Sequence, residues 1–297
     1  MERAESGVDS ITFDALNRPI RDASGRTRSG NPTTLARRSF ACDGRLEAGN
    51  AQTPTLEDRM DPAGKRALVL GGTAGIGLAA AQDLERAGAK VFAASRTATK
   101  RERASQGLSE DAELRDIDVR DRDALAALFA ELAPLDILVC AATGGDRAIG
   151  PFLEMDLDGF QGSFDKLWGY TNAVRIGAAH LASDAAIVLV SGFPARKCKP
   201  GMSAISSVGN AVEGFARAIA PEIAPRRINV VSPGSIVTEM FGVDLDQSAA
   251  TLAGVTKNNL IPRPGTPGEV SQAILFAIEN DYVTGTTIDV DGGALLP

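Results

Sequence analysis

Residues 66–81 read RALVLGGTAGIGLAAA. RALVL has the length and apolar content of a buried strand, and IGLAAAQDLERAG, residues 76–88, has the apolar spacing of an amphipathic helix. Gly71, Gly75 and Gly77 stand between the two. They permit a tight turn and a close backbone approach, which lets amides at the helix N-terminus face a pyrophosphate. A strand-to-helix turn also needs glycine for steric reasons alone. Position favours the nucleotide reading, because the glycines close a strand and open a helix.

Outward from this stretch the same unit recurs. KVFAAS (90–95), ELRDI (113–117) and DILVCAA (136–142) are separated by helical spacing such as RDALAALFAEL (122–132). AAIVLV (185–190), a helix around 211–220, RINVVS (227–232), a helix after Thr266 and TTIDV (286–290) bring the count to about seven strands. Short strands separated by helices indicate parallel βαβ units. With right-handed crossovers they give an α/β fold: a single doubly wound, Rossmann-type parallel sheet with helices on both faces.

The remaining composition narrows the setting. With 44% hydrophobic residues, the 297-residue chain has ample material for a buried core. A net charge of −7 argues against a nucleic-acid surface, which needs clustered Lys and Arg. Cys42, Cys140 and Cys198 are widely spaced, and with the single His180 they match no zinc pattern, so reduced thiols and no metal are expected. No apolar run approaches the roughly 20 residues that cross a bilayer, and MERAESGVDS lacks the apolar region of a signal peptide. These readings point to the cytoplasm, with a small-molecule ligand and neither membrane nor nucleic acid as partner. Residues 1–59, rich in Arg, Gly, Ser, Thr and Asp without a sustained apolar period, are expected to be a disordered extension. The domain is expected to span 60–297, with Met60 a natural start for it.

In its ordered motifs the chain resembles the short-chain dehydrogenase/reductase family over about residues 64–293. The family spacing Thr-Gly-x-x-x-Gly-x-Gly is matched by Leu70, Gly71, Gly75, Ile76 and Gly77, except at the threonine. Asp118 and Val119 stand where the family contacts adenine. LDILVCAATGG resembles its Leu-Asp-Ile-Leu-Val-Asn-Asn-Ala-Gly segment, so that Cys140 and Ala141 take the places of the two asparagines and Ala142 follows. INVVSPGSIVTEM resembles the run that carries Pro233, Gly234 and Thr238. What the resemblance implies is an NAD(P)-binding domain that forms homodimers or homotetramers through two long central helices. At the end of the second strand, Ser95 stands where NAD-preferring proteins of this fold carry an acid, and Arg96 follows. A guanidinium suits a 2′-phosphate, so NADP is expected over NAD; a solvated surface arginine is the other reading of Arg96.

The reaction end departs from the family. Its members use an Asn, Ser, Tyr and Lys set, since hydride delivery to a carbonyl leaves an alkoxide that needs a proton. GMSAISSVGNAVEG (201–214) fixes the register without a gap, which implies Gly192 at the serine, Ile205 at the tyrosine and Gly209 at the lysine. Ser191 lies one residue before the serine place, on the other face if the strand stays straight. In FDKLWGYTNAV (164–174) the family pattern Val-Asn-x-x-Gly aligns Lys166 with the asparagine and Gly169 with the glycine. Tyr170, at i, i+4 from Lys166, is expected either to form a phenolate pair with it or to be an interface or core residue. Lys166 itself reads either as catalytic or as a surface charge lying over its own stem. Residues 239–260 are expected to form a helical lid. The chain therefore reads as an NADP(H)-dependent oxidoreductase of a small ketone, alcohol or enone with an atypical proton route. The alternative is an NADP(H)-binding sensor or inactive partner subunit, and a fold reused for non-redox chemistry stays open as well.

Overall fold

The computed structural model describes residues 60–143, 147–241 and 244–297. The expected extension, residues 1–59 with Cys42, lies outside the described residues. Strands β1 (Arg66–Leu70), β2 (Lys90–Ser95), β3 (Glu113–Asp116), β4 (Leu135–Cys140), β5 (Leu181–Val190), β6 (Arg227–Pro233) and β7 (Thr287–Val290) form one sheet in the order β3-β2-β1-β4-β5-β6-β7. Every pairing is parallel. The chain winds outward from β1 to β3, then returns to β4 on the other side of β1. The carboxyl ends of β1 and β4 thus flank the switch point where such sheets open a crevice.

Helices α1 (Gly75–Arg86), α2 (Ala98–Ala104), α3 (Arg122–Leu132), α4 (Leu157–Ser163), α5 (Asp165–Gly177), α6 (Ser203–Ile223), α7 (Leu245–Thr256) and α8 (Pro267–Glu279) connect the strands or extend their loops. Successive residues of a strand point to opposite faces, and β1 supplies both cores accordingly. Leu68 and Leu70 pack with Phe92, Leu138, Phe129 of α3 and Tyr170 of α5. Ala67 and Val69 pack with Leu84 of α1 and Ile274 of α8. This alternation makes the sheet buried on both faces, as the sequence reading expects.

Local chemistry fixes the helix ends. Asp121 accepts from the backbone N–H groups of Asp123 and Ala124 to start α3. Thr266 and Glu269 form a reciprocal capping box at α8, with Pro267 at its first position. The segment expected to form a lid carries α7, capped by Asp244. On α5, Gly169 lets the helix lie on Val119, since a Cβ there would fall 2.4 Å from Val119 Cγ2. That contact brings the N-terminal turn of α5, and Lys166 with it, over the carboxyl ends of the strands.

Candidate active site

The glycine turn forms one wall of a cavity of about 660 Å³. Gly71 has φ +83°, and a Cβ on it would come within 2.6 Å of Ala142 N. Its N–H donates to Ala94 O, while Ala141 N donates to Leu70 O, which ties β1, β2 and β4 together beneath the turn. A Cβ on Gly77 would lie 2.1 Å from Gly71 O, so α1 can start against the turn only with glycine there. At the N-cap of α1, Ala74 offers no side-chain acceptor, and the first turn holds no acid. The N–H groups of Gly75, Ile76 and Gly77 therefore keep their positive end for an external anion, and all three residues line the cavity. This uncapped, glycine-walled helix start fits a dinucleotide pyrophosphate.

Further along, Thr73 Oγ1 donates to Ser95 Oγ at 2.7 Å. Arg96 Nη1 lies 3.4 Å from Asp118 Oδ2, and Arg120 bridges Asp118 and Asp165, the latter at 2.6 Å. Burial alone would raise the Asp118 carboxyl. Hydrogen bonds from Arg120 and the charges of Arg120 and Arg96 outweigh it and hold the group below the ordinary carboxylate value. Asp118 thus remains anionic among cations and holds Arg96 at this side of the cavity.

The opposite end carries the groups that could meet a substrate. Lys166 Nζ donates to Ser191 O at 3.3 Å and stands 5.7 Å from the ring centre of Tyr170. Burial, reinforced by the charge of Arg147, lowers its ammonium to about 8. Ser191 follows directly on β5, and its Oγ donates to Gly209 O at 3.2 Å. The side chain therefore turns towards α6, where the close approach at Gly209 is to Ala195: a Cβ there would be 2.9 Å from Ala195 Cβ and in ordinary contact, 3.4 Å, with the Ser191 hydroxyl oxygen. Gly192, Ile205 and Gly209 line the same region and bring no titratable side chain.

Of the residues expected from sequence, Tyr170 alone stands apart from the cavity. Gly71, Gly75, Ile76, Gly77, Ser95, Arg96, Asp118, Val119, Ala141, Ala142, Lys166, Ser191, Gly192, Ile205, Gly209, Pro233, Gly234 and Thr238 all line it. Tyr170 is 1% exposed within the core below, and its hydroxyl donates to Val190 O at 3.1 Å. Burial, with a smaller contribution from Cys140, raises its phenol well above the ordinary value. A phenolate pair with Lys166 requires the reverse, so the geometry corrects that expectation in favour of the core reading. Cys140 is likewise a buried thiol raised by burial, and His180 stacks on Phe129 at 6.4 Å. Arg147 was not among the sequence candidates, yet it lines the cavity beside Lys166. The available signal was a charged residue in the glycine-rich loop that follows β4. Thr73, inside the glycine motif but not singled out there, and Lys100, which belongs to no motif, also line the cavity. Among the described residues no cluster of His, Cys, Asp or Glu could hold a metal, and no helix is long and apolar enough to cross a membrane.

Residues 71–294 match the family described as Enoyl-(Acyl carrier protein) reductase. Short-chain dehydrogenase/reductase ATR9 of Stachybotrys chlorohalonatus is 32% identical over 253 residues, covering 78% of this chain and 98% of that protein. A solved small-chain dehydrogenase in complex with NADPH is 28% identical, covering 79% of this chain and 100% of the other at a TM-score of 0.66. A short chain oxidoreductase from Pseudomonas aeruginosa PAO1, described as containing an atypical catalytic center, is 28% identical with a TM-score of 0.70 and covers 80% of this chain and 98% of its own. The chain belongs to the short-chain dehydrogenase/reductase family, a family of NAD(P)-dependent oxidoreductases.

Proposed function

We propose that this protein is an NADP(H)-dependent oxidoreductase of a small ketone, alcohol or enone in which Lys166, rather than a tyrosine, serves the proton. In this reading Gly192, Ile205 and Gly209 occupy the places of the family's serine, tyrosine and lysine. Gly71, Gly75, Ile76 and Gly77 hold the pyrophosphate, Asp118 and Val119 border the adenine, and Ala141, Ala142, Pro233, Gly234 and Thr238 border the nicotinamide half. Ser95, without a carboxylate, and Arg96 favour a 2′-phosphate. The observation that carries the proposal is the Lys166 ammonium: it lines the cavity, forms no ion pair with a carboxylate among the described residues because the neighbouring Asp165 is held by Arg120, and is lowered to about 8. A general acid works best when its pKa lies near the working pH.

The bound nicotinamide supplies or accepts hydride. In reduction of a ketone, the carbonyl oxygen becomes an alkoxide as hydride reaches its carbon, and Lys166 Nζ donates a proton to that oxygen. The neutral amine then regains a proton from solvent. With an enone, the same ammonium stabilises the enolate oxygen, and protonation at carbon can come from water. Ser191 is a weaker candidate for orienting the oxygen, since its hydroxyl proton is directed at Gly209 O. The relative described as containing an atypical catalytic center supports the idea that this fold tolerates another catalytic set. A cytoplasmic location belongs to the same reading, as do homodimers or homotetramers, for which Trp168, 57% exposed on α5, offers an apolar contact.

A second reading, an NADP(H)-binding sensor or inactive partner subunit, draws on Ile205 and Gly209, which bring no acid or base to the cavity. Titration with NADPH and NADH, followed by NADPH oxidation over a panel of ketones and enones, separates the two. The oxidoreductase reading expects tighter NADPH binding, turnover with at least one panel member, and a loss of about 10²–10⁴-fold in kcat for Lys166→Met. Stoichiometric NADPH binding with no turnover on any member would support the sensor.

A further inference from the structure

Two cations share the reaction end of the cavity, and no carboxylate answers either of them among the described residues. Among the described residues Lys166 hydrogen-bonds only a carbonyl, Ser191 O, and Arg147, which lines the same cavity, depresses it further. Asp165, the acid next to Lys166 in sequence, is held by Arg120 on the adenosine side. The two acids that line the cavity are also placed towards the cofactor half. Asp118 pairs with Arg96 and Arg120, and Glu239 Oε2 lies 3.7 Å from where a Cβ on Gly75 would be, beside the glycine turn. A buried ammonium that meets only a carbonyl among the described residues is unfavourable, and an anion entering between Lys166 and the more exposed Arg147 would stabilise it.

We infer that the substrate carries a carboxylate, received by Arg147 with Lys166 beside it, on an otherwise apolar body. The inference rests on the oxidoreductase reading and names the substrate class of the same site. Ile149, Phe193, Met202 and Ile205 supply apolar lining to the same cavity. A planar guanidinium accepts a carboxylate through two parallel hydrogen bonds, which fixes orientation as well as charge. Arg147 sits at the mouth with much of its surface open to solvent, and burial of the rest against the wall lowers its guanidinium. It can therefore meet an entering carboxylate before the reacting carbon reaches Lys166. The cavity of about 660 Å³ must also contain the dinucleotide, which restricts the class to small oxo or hydroxy acids.

Isothermal titration calorimetry on the full chain saturated with NADP+ tests this without relying on turnover. The probes are 3-oxobutanoate and 4-phenyl-2-oxobutanoate, each against its methyl ester, with the native protein and Arg147→Gln. The expected result is that at least one acid binds more than about tenfold tighter than its ester, and that Arg147→Gln removes the preference while NADP+ affinity is unchanged. Equal or tighter binding of the esters, no binding of either acid, or a preference that survives Arg147→Gln would overturn it. A native chain that fails to bind NADP+ at all is a distinct failure, which removes the nucleotide reading and this inference with it.

Discussion

Lys166 and Tyr170 show how one helical turn separates a working surface from a core. Four residues advance a side chain about 40° beyond a full turn, enough at the edge of a buried face to divide two neighbours between cavity and interior. Lys166 keeps its ammonium at the cavity, whereas Tyr170 spends its hydroxyl on Val190 O. If Lys166 serves the proton as proposed, kcat for reduction should fall as pH rises through about 8, where its ammonium is lost, and oxidation should rise over the same interval. The same shift acts on stability. A lysine whose folded value lies below its ordinary 10.5 disfavours the folded state below about 8, and that penalty is relieved as pH climbs from there towards 10.5. Tyr170→Phe should leave the pH–rate profile in place and lower stability by about 1 kcal/mol, measured by urea unfolding, through loss of a buried hydrogen bond. A profile displaced by Tyr170→Phe would return the phenol to the chemistry.

Among the elements, the α8 cap is the most direct stability device. Hydrogen bonding from Arg263 first, then from Thr266, draws the Glu269 carboxyl down to about 2. A carboxylate lowered in the folded state contributes stability above its ordinary 4.5 and loses it as pH falls towards about 2. Thr266→Ala should cost about 1 kcal/mol at neutral pH by breaking the box. Glu269→Gln should lower Tm at pH 7, with the deficit shrinking across the acid interval. Loss of stability that is the same at pH 7 and pH 2 would contradict the assignment. The strands were legible because apolar runs such as RALVL and AAIVLV are bounded by glycines or helical spacing, and strand and helix periods differ. Gly169 and Gly77 were legible only as motif positions. Their physical reasons, contact with Val119 and with Gly71 O, depend on neighbours distant in sequence or hidden within the turn.

For the molecule as a whole, winding β1 to β3 one way and β4 to β7 the other brings the glycine turn after β1 and the cations Lys166 and Arg147 into one cavity. The cofactor half was readable because its contacts fall in short runs, each at the carboxyl end of a strand. The reaction half was only partly readable. Lys166 followed from alignment with a family pattern, but Arg147 becomes its neighbour through the fold, and no local period links the two. Side-chain direction was equally hidden for Ser191, which turns to Gly209 O once β5 has ended. The central claim, that Lys166 supplies the proton where no tyrosine stands, is tested most directly by a structure of the chain with NADP+ and a substrate. In that complex Lys166 Nζ is expected within about 3 Å of the oxygen on the reacting carbon beside the nicotinamide. A different titratable side chain at that oxygen, with Lys166 out of reach of it, would contradict the claim.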